Sequence, residues 1–218
     1  MKKIFALIGM VAFSLSIFAG EPINKNSNLV LSPGDGEKCF DEKTHIINLG
    51  IGLASGYYVR VGGEKYSSSP YLNLSYEQPW PKKLGPGFLG VGAYFGYKTE
   101  KYEYNYNTFY GNGYRYEKRH SYYTIAGRAA YHWDVLNSKK AEVYGGVLIG
   151  AHLNVYSYSD NDPNNDYSVS VNPFSPYVAG FVGARYYFGN NFGVFAEIGV
   201  HPHSHSSYNA SVGFSIKF

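Results

Sequence analysis

From residue 44 onward the chain contains runs that alternate with a period of two, and within each run one set of alternate positions carries no charge. The runs are Ile47 to Leu53, Leu72 to Tyr76, Leu89 to Tyr97, Tyr123 to Trp133, Val143 to Val155, Val178 to Phe188, Phe192 to Val200 and Tyr208 to Phe218. Read at every second residue, they hold only aliphatic residues, aromatic residues and Gly. Period two places such a set on one face of an extended strand, so eight strands are predicted, each with one wholly apolar face.

Alternation alone fits a water-soluble sandwich as well as a membrane barrel. The opposite face decides between them. Its only charges are Glu77, Arg128, Glu142, Arg185, Glu197 and Lys217, among Asn, Ser, Gly and Tyr. A face turned to water is about a quarter to a third charged, so these charges suit a crowded interior in which they pair and Gly leaves room for larger side chains. Composition agrees: 16% of residues are charged, with Tyr at 24, Gly at 26 and Phe at 14. That richness in aromatics argues against disorder and against long helices. A net charge of +3 is too small for a nucleic-acid footprint. The fold class expected over residues 44–218 is all-β, a single eight-stranded antiparallel up-and-down transmembrane β-barrel.

The connections differ by end. Those at 78–87, 134–141 and 189–191 are predicted to be periplasmic turns. Those at 55–69, 98–121, 156–175 and 201–207 are predicted to be extracellular loops, mostly longer, as in outer-membrane barrels. The start Met1-Lys2-Lys3, the apolar stretch Ile4 to Phe18 and the small pair Ala19-Gly20 form a secretory signal pattern over residues 1–19. Residues 20–43, with Pro22, Pro33, Gly34 and Gly36, are expected to be an irregular segment. Cys39 is the single cysteine, so no internal disulfide forms, and it is read as inert on a loose lead. The expected location is the outer membrane of a Gram-negative bacterium.

The closing stretch Tyr208 to Phe218, alternating and ending on an aromatic residue, resembles the C-terminal strand of bacterial outer-membrane β-barrels. Phe181 to Glu197 looks like the sixth-to-seventh hairpin of small barrel domains of the OmpX and OmpA-transmembrane kind. The resemblance covers roughly residues 44–218. It implies that Phe214, Ile216 and Phe218 belong to a signal read by the barrel-assembly machinery.

Several residue groups invite a functional reading. In loop 98–121, Tyr102, Tyr104, Tyr106, Tyr110, Tyr114 and Tyr116 alternate with polar residues around Gly111-Asn112-Gly113. Asn-Gly in such a setting signals a hairpin, so strands 3 and 4 are expected to continue outward as a ribbon. Tyrosines on it would make a contact surface at low entropic cost, with an extracellular protein or glycan as partner. Arg128, Glu142, Arg185, Glu197 and Lys217 are expected to form a lumen ion-pair network. Tyr76, Trp80, Tyr131, Trp133, Tyr187, Phe188 and Phe218 fall near the periplasmic ends, as a belt. His201, His203 and His205 are weak metal candidates, and no metal or other cofactor is predicted. His205 and Ser207 share the His-x-Ser spacing of lipid A deacylase barrels, but no Asp or Glu follows to orient the histidine. The leading function is a monomeric, non-enzymatic surface barrel with the lipid bilayer as its solvent and Tyr-rich loops for adhesion or envelope stability. A narrow pore for small or hydrophobic solutes is the first alternative, and a lipid-modifying enzyme the second.

Overall fold

The structure is a computed structural model, and it describes residues 38–52, 58–61, 64–81, 84–107, 113–133, 136, 138–160, 168–200 and 210–218. The elements are β1 (Ile46–Gly52), β2 (Tyr58–Val61), β3 (Glu64–Ser68), β4 (Leu72–Pro79), β5 (Phe88–Asn107), β6 (Gly113–Trp133), β7 (Ala141–Asp160), β8 (Ser168–Tyr187), β9 (Phe192–Val200) and β10 (Ala210–Lys217). The signal sequence and most of the 20–43 segment lie outside the described residues.

Strand order is β2-β3-β5-β4-β1-β10-β9-β8-β7-β6, and an additional β5–β6 pairing closes the sheet. Eight strands therefore form a ring in which every pairing is antiparallel, while β2 and β3 stand outside it. Closure leaves the ring with no edge strand. The seam joins the first and last strands, with Ile46 opposite Lys217 and Gly52 opposite Ser211.

Parity sorts the wall as the alternation demands. Leu49, Phe95, Ile125, Ile149, Val182 and Phe214 point outward and are 42–62% exposed. Asn48, Glu77, Tyr94, Arg128, Tyr144, Arg185, Phe195 and Glu197 point inward and are buried. Glycine makes the narrow interior possible: a Cβ on Gly183 would lie 2.7 Å from the Tyr144 ring and 2.8 Å from Glu197 Cγ. Tyr187 departs from its expected belt position. Its parity is inward and it is fully buried, so the outward members at that end include Trp133 and Phe188.

The wall is tall on one side. β5 to β8 are 20 or 21 residues long, whereas β1, β4, β9 and β10 have seven to nine. A strand of 20 residues reaches about 66 Å, far more than the 9–11 residues a span requires. The ribbon expected from β5 and β6 is present, paired as far as Asn107 and Gly113. Two expected loops are instead largely strand. Within 55–69, β2 and β3 form a hairpin whose second strand pairs with β5 from Glu64–Tyr104 to Ser68–Glu100. Within 156–175, β7 and β8 stay paired out to Tyr158 and Ser168, across a register shift between His152 and Asn154. Pro173 and Pro176 lie close by on β8, and proline supplies no N–H to a ladder, so an irregularity at this point is expected.

The lead into the barrel is not loose. Cys39 and Phe40 are 4% and 3% exposed, and Phe40 stacks on His132 with ring centroids 3.7 Å apart. Asp41 and Thr44 close a turn through Thr44 Oγ1 to Asp41 Oδ1 at 2.7 Å. Lys217 Nζ donates to the Cys39 carbonyl at 3.3 Å. Cys39, Phe40 and Thr44 thus pack into the turn end of the barrel, while residues 41–43 stay exposed.

Candidate functional site

The barrel interior holds one connected set of charges, packed beside a buried cluster that includes Tyr71, Tyr94, Leu148, Tyr177 and Phe181. Arg128 on β6 donates from Nε to Glu77 Oε1 at 3.1 Å and from Nη2 to Glu197 Oε1 at 2.5 Å. Arg185 on β8 donates from Nη1 to Glu142 Oε1 at 2.8 Å, and from Nη2 to Glu77. His132 lies between Glu142 and Glu77, each 3.0 Å from a different ring nitrogen. Both ring nitrogens thus face a carboxyl group, and the cluster gathers Glu77, Glu142 and Glu197 around Arg128, Arg185 and the His132 ring. Neutral groups complete the set. Tyr144 donates to Glu197 at 2.9 Å, Asn48 to Glu77 at 3.3 Å, and Ser215 to Asn48 at 2.6 Å. The guanidinium carbons of Arg128 and Arg185 sit 3.9 Å from the Phe181 ring centroid and 4.0 Å from that of Tyr144.

Of the residues expected in the lumen, Arg128, Glu142, Arg185 and Glu197 meet in this cluster, and Lys217 does not. Its ammonium lies over the Tyr187 ring at 4.6 Å and binds the Cys39 carbonyl instead. Two residues left out of the expected network are central. Glu77 joins both arginines, and His132 joins Glu77 to Glu142. Both have inward parity, so the signal was available, but a histidine in a strand carries no mark of its partners. Every carboxylate of the cluster is buried and engaged, which suits a permanent structural plug better than acid–base work.

Beyond the barrel, the outer halves of β5 to β8 and the β2–β3 hairpin make a raised sheet with two unlike faces. The face continuous with the lumen is rich in aromatic rings: Tyr66 and Tyr102 have centroids 4.4 Å apart, His120 and Tyr156 4.8 Å, and Tyr116 and Tyr158 4.6 Å, with a Lys98–Glu100 ion pair at 2.8 Å and Lys118 over the Tyr116 ring on the same face. Tyr102 and Tyr104 are 44% and 41% exposed. The opposite face is a charge ladder. Lys101 reaches Glu103 at 2.7 Å and Glu117 at 2.9 Å, Lys65 reaches Glu103 at 3.4 Å, and Arg119 reaches Glu117 at 3.0 Å. Burial works against the Glu117 carboxylate, but hydrogen bonds from Lys101 and Arg119 hold it below the ordinary range. Glu103 and then Glu117 raise Lys101.

Of the other tyrosines singled out from the sequence, Tyr106 and Tyr114 lie on β5 and β6, while Tyr110 falls outside the described residues. His201, His203, His205 and Ser207 also fall outside them. Among the described residues no group of three or more His, Cys, Asp or Glu side chains is placed to hold a metal ion. Burial pushes the Cys39 thiol up to about 12, with Glu142 adding to the effect, so it is neither acid nor nucleophile at neutral pH.

No protein-family model and no curated protein sequence matches the chain. Among solved structures it is similar to Ail, the attachment invasion locus protein of Yersinia pestis, at 14% identity and a TM-score of 0.42, over 81% of this chain and 96% of that one. Neisserial surface protein A is similar at 16% identity and a TM-score of 0.35, over 80% and 96% of the two chains. The outer membrane protein OprG from Pseudomonas aeruginosa is similar at 13% identity and a TM-score of 0.38, over 81% and 96%. These values are too low to carry a role across, and the barrel architecture rests on this chain's own strand register.

Proposed function

We propose that this chain is an outer-membrane barrel whose work is contact rather than conduction or catalysis, with the raised sheet as the contact element. The carrying observation is that β5 to β8 run far past the apolar band and recruit β3 into one sheet. The band itself has membrane dimensions. From Trp133 to Tyr123 on β6 the rise is about 33 Å along the strand, which a tilt of about 40° reduces to the roughly 25 Å of an outer-membrane barrel. Trp133 and Phe188 at one limit and the Tyr97–Tyr123 pair, 5.1 Å apart, at the other form two aromatic girdles. Outward Phe214, Ile216 and Phe218, 49–59% exposed, fit a strand handed to the barrel-assembly machinery.

The filled lumen supports a closed barrel over a pore. In planar bilayers the protein is expected to give no steady conductance, and a stable open level in most insertions would overturn the closed reading. Removing residues 100–117 should leave a heat-resistant barrel but abolish attachment of expressing cells to protein- or glycan-coated surfaces. Attachment unchanged by that deletion would count against the contact role.

A further inference from the structure

The charge ladder on the outward face of the raised sheet has a built-in asymmetry. Its carboxylates are inside and its cations outside: the Glu103 and Glu117 side chains are 10% and 24% exposed, while Lys65, Lys101 and Arg119 are 42%, 28% and 52% exposed. Glu103 and Glu117 lie directly opposite one another on β5 and β6, an unfavourable pairing of like charges. Lys101 bridges both, and what the assembly turns outward is cationic. Its height is set by the same two strands. Outward parity runs from the Phe95–Ile125 pair through Tyr97–Tyr123 and Thr99–Ser121 to Lys101–Arg119. The ladder therefore begins about 10 Å above the girdle, given strand rise and a tilt of about 40°. The headgroup layer occupies about 5–7 Å of that gap, and the long Lys and Arg stems extend across the rest.

We propose that Lys65, Lys101 and Arg119 form a cationic shelf that takes the phosphate groups of lipids in the outer leaflet, clamping the base of the raised sheet to the membrane surface. This rests on the barrel reading above. A guanidinium offers a planar set of donors suited to phosphate and an ammonium a point charge. Arg119 keeps half of its side-chain surface exposed after its contact with Glu117. The aromatic face stays clear of the lipid, because it continues the lumen wall rather than the outer wall. The shelf thus orients the sheet, leaving its tyrosines for the partner.

The test uses the full chain in nanodiscs of phosphatidylcholine alone or with added phosphatidylglycerol. An amine-acetylating reagent is applied and modification of Lys65 and Lys101 is read by peptide mass spectrometry. Anionic lipid should slow acetylation of both several-fold, and high salt should reverse the protection. Equal rates in the two discs would overturn the shelf. Millimolar inorganic phosphate should not protect in phosphatidylcholine discs, and equal protection by it would overturn the lipid source. The double variant K65Q/R119Q should lose protection at Lys101, whereas K139Q/K140Q at the turn end should keep it; the reverse pattern would overturn the assignment. Should K65Q/R119Q loosen the sheet, the wild-type comparison still decides. Failure of the chain to enter nanodiscs at all would instead overturn the barrel reading, so the two failures are distinguishable.

Discussion

Glu77 accepts from both Arg128 and Arg185 while also meeting His132. Removing one member therefore strands several charges in a buried site. Breaking a buried pair from one side costs about 3–5 kcal/mol, so Arg185→Ala should lower the temperature at which the barrel loses its compact mobility on unheated gels. An unchanged transition would show that the cluster adds little. The ladder outside the barrel is open to pH. Glu117 is held below its ordinary value, so the stability it adds is full above that value and is lost as pH falls through the lowered one. Lys101 is held above its own, and its contribution lasts until pH rises through the raised value. Near-ultraviolet circular dichroism of the packed tyrosines should therefore be constant across neutral pH and change below about pH 4. Lys101→Met, which leaves Glu103 facing Glu117, should destabilise the ribbon by about 1 kcal/mol or less and shift that change. Constancy down to pH 2 would contradict this account.

Among the elements, short β1, β4, β9 and β10 are legible from their apolar alternation because none extends past the span. The outer halves of β5 to β8 are not, apart from the β5–β6 ribbon, which the Asn-Gly turn announces. Their alternation is of tyrosine against charge or serine, as in Tyr156-Ser157-Tyr158-Ser159, and apolar periodicity does not register it. Hairpin β2–β3 is hidden for the same reason and is short besides, since it gains its place only by pairing with β5. The pair Cys39–Phe40 is a further case. Its burial goes with the Phe40–His132 stack, a contact across the barrel mouth that no local pattern announces. Phe40→Ala should open that mouth, and maleimide labelling of Cys39 in the folded protein should then accelerate at least tenfold. Equally slow labelling of variant and wild type would mean that other contacts seal it.

The whole molecule joins a lumen filled by a charge cluster and packed aromatic and aliphatic side chains to a sheet whose inner face is rich in tyrosine and whose outer face carries a charge ladder. That division of surfaces follows from closure: strands that continue past the ring keep the parity the ring imposed, so the packed tyrosines, with the Lys98–Glu100 pair among them, stay on the inner face and the ladder of Lys65, Lys101, Glu103, Glu117 and Arg119 on the outer one. The alternation of apolar and polar residues, the scarcity of charge and the glycines on the inner face were enough, from sequence alone, to determine a closed eight-stranded barrel, because side-chain parity in a strand is a local property. Which charges meet was decided only by the tertiary structure. Glu77 on β4 and Arg185 on β8 are far apart in sequence, and strand tilt and stagger bring them together across the lumen. The same reason explains Lys217, whose inward parity was legible but whose partner, the backbone of Cys39, was not.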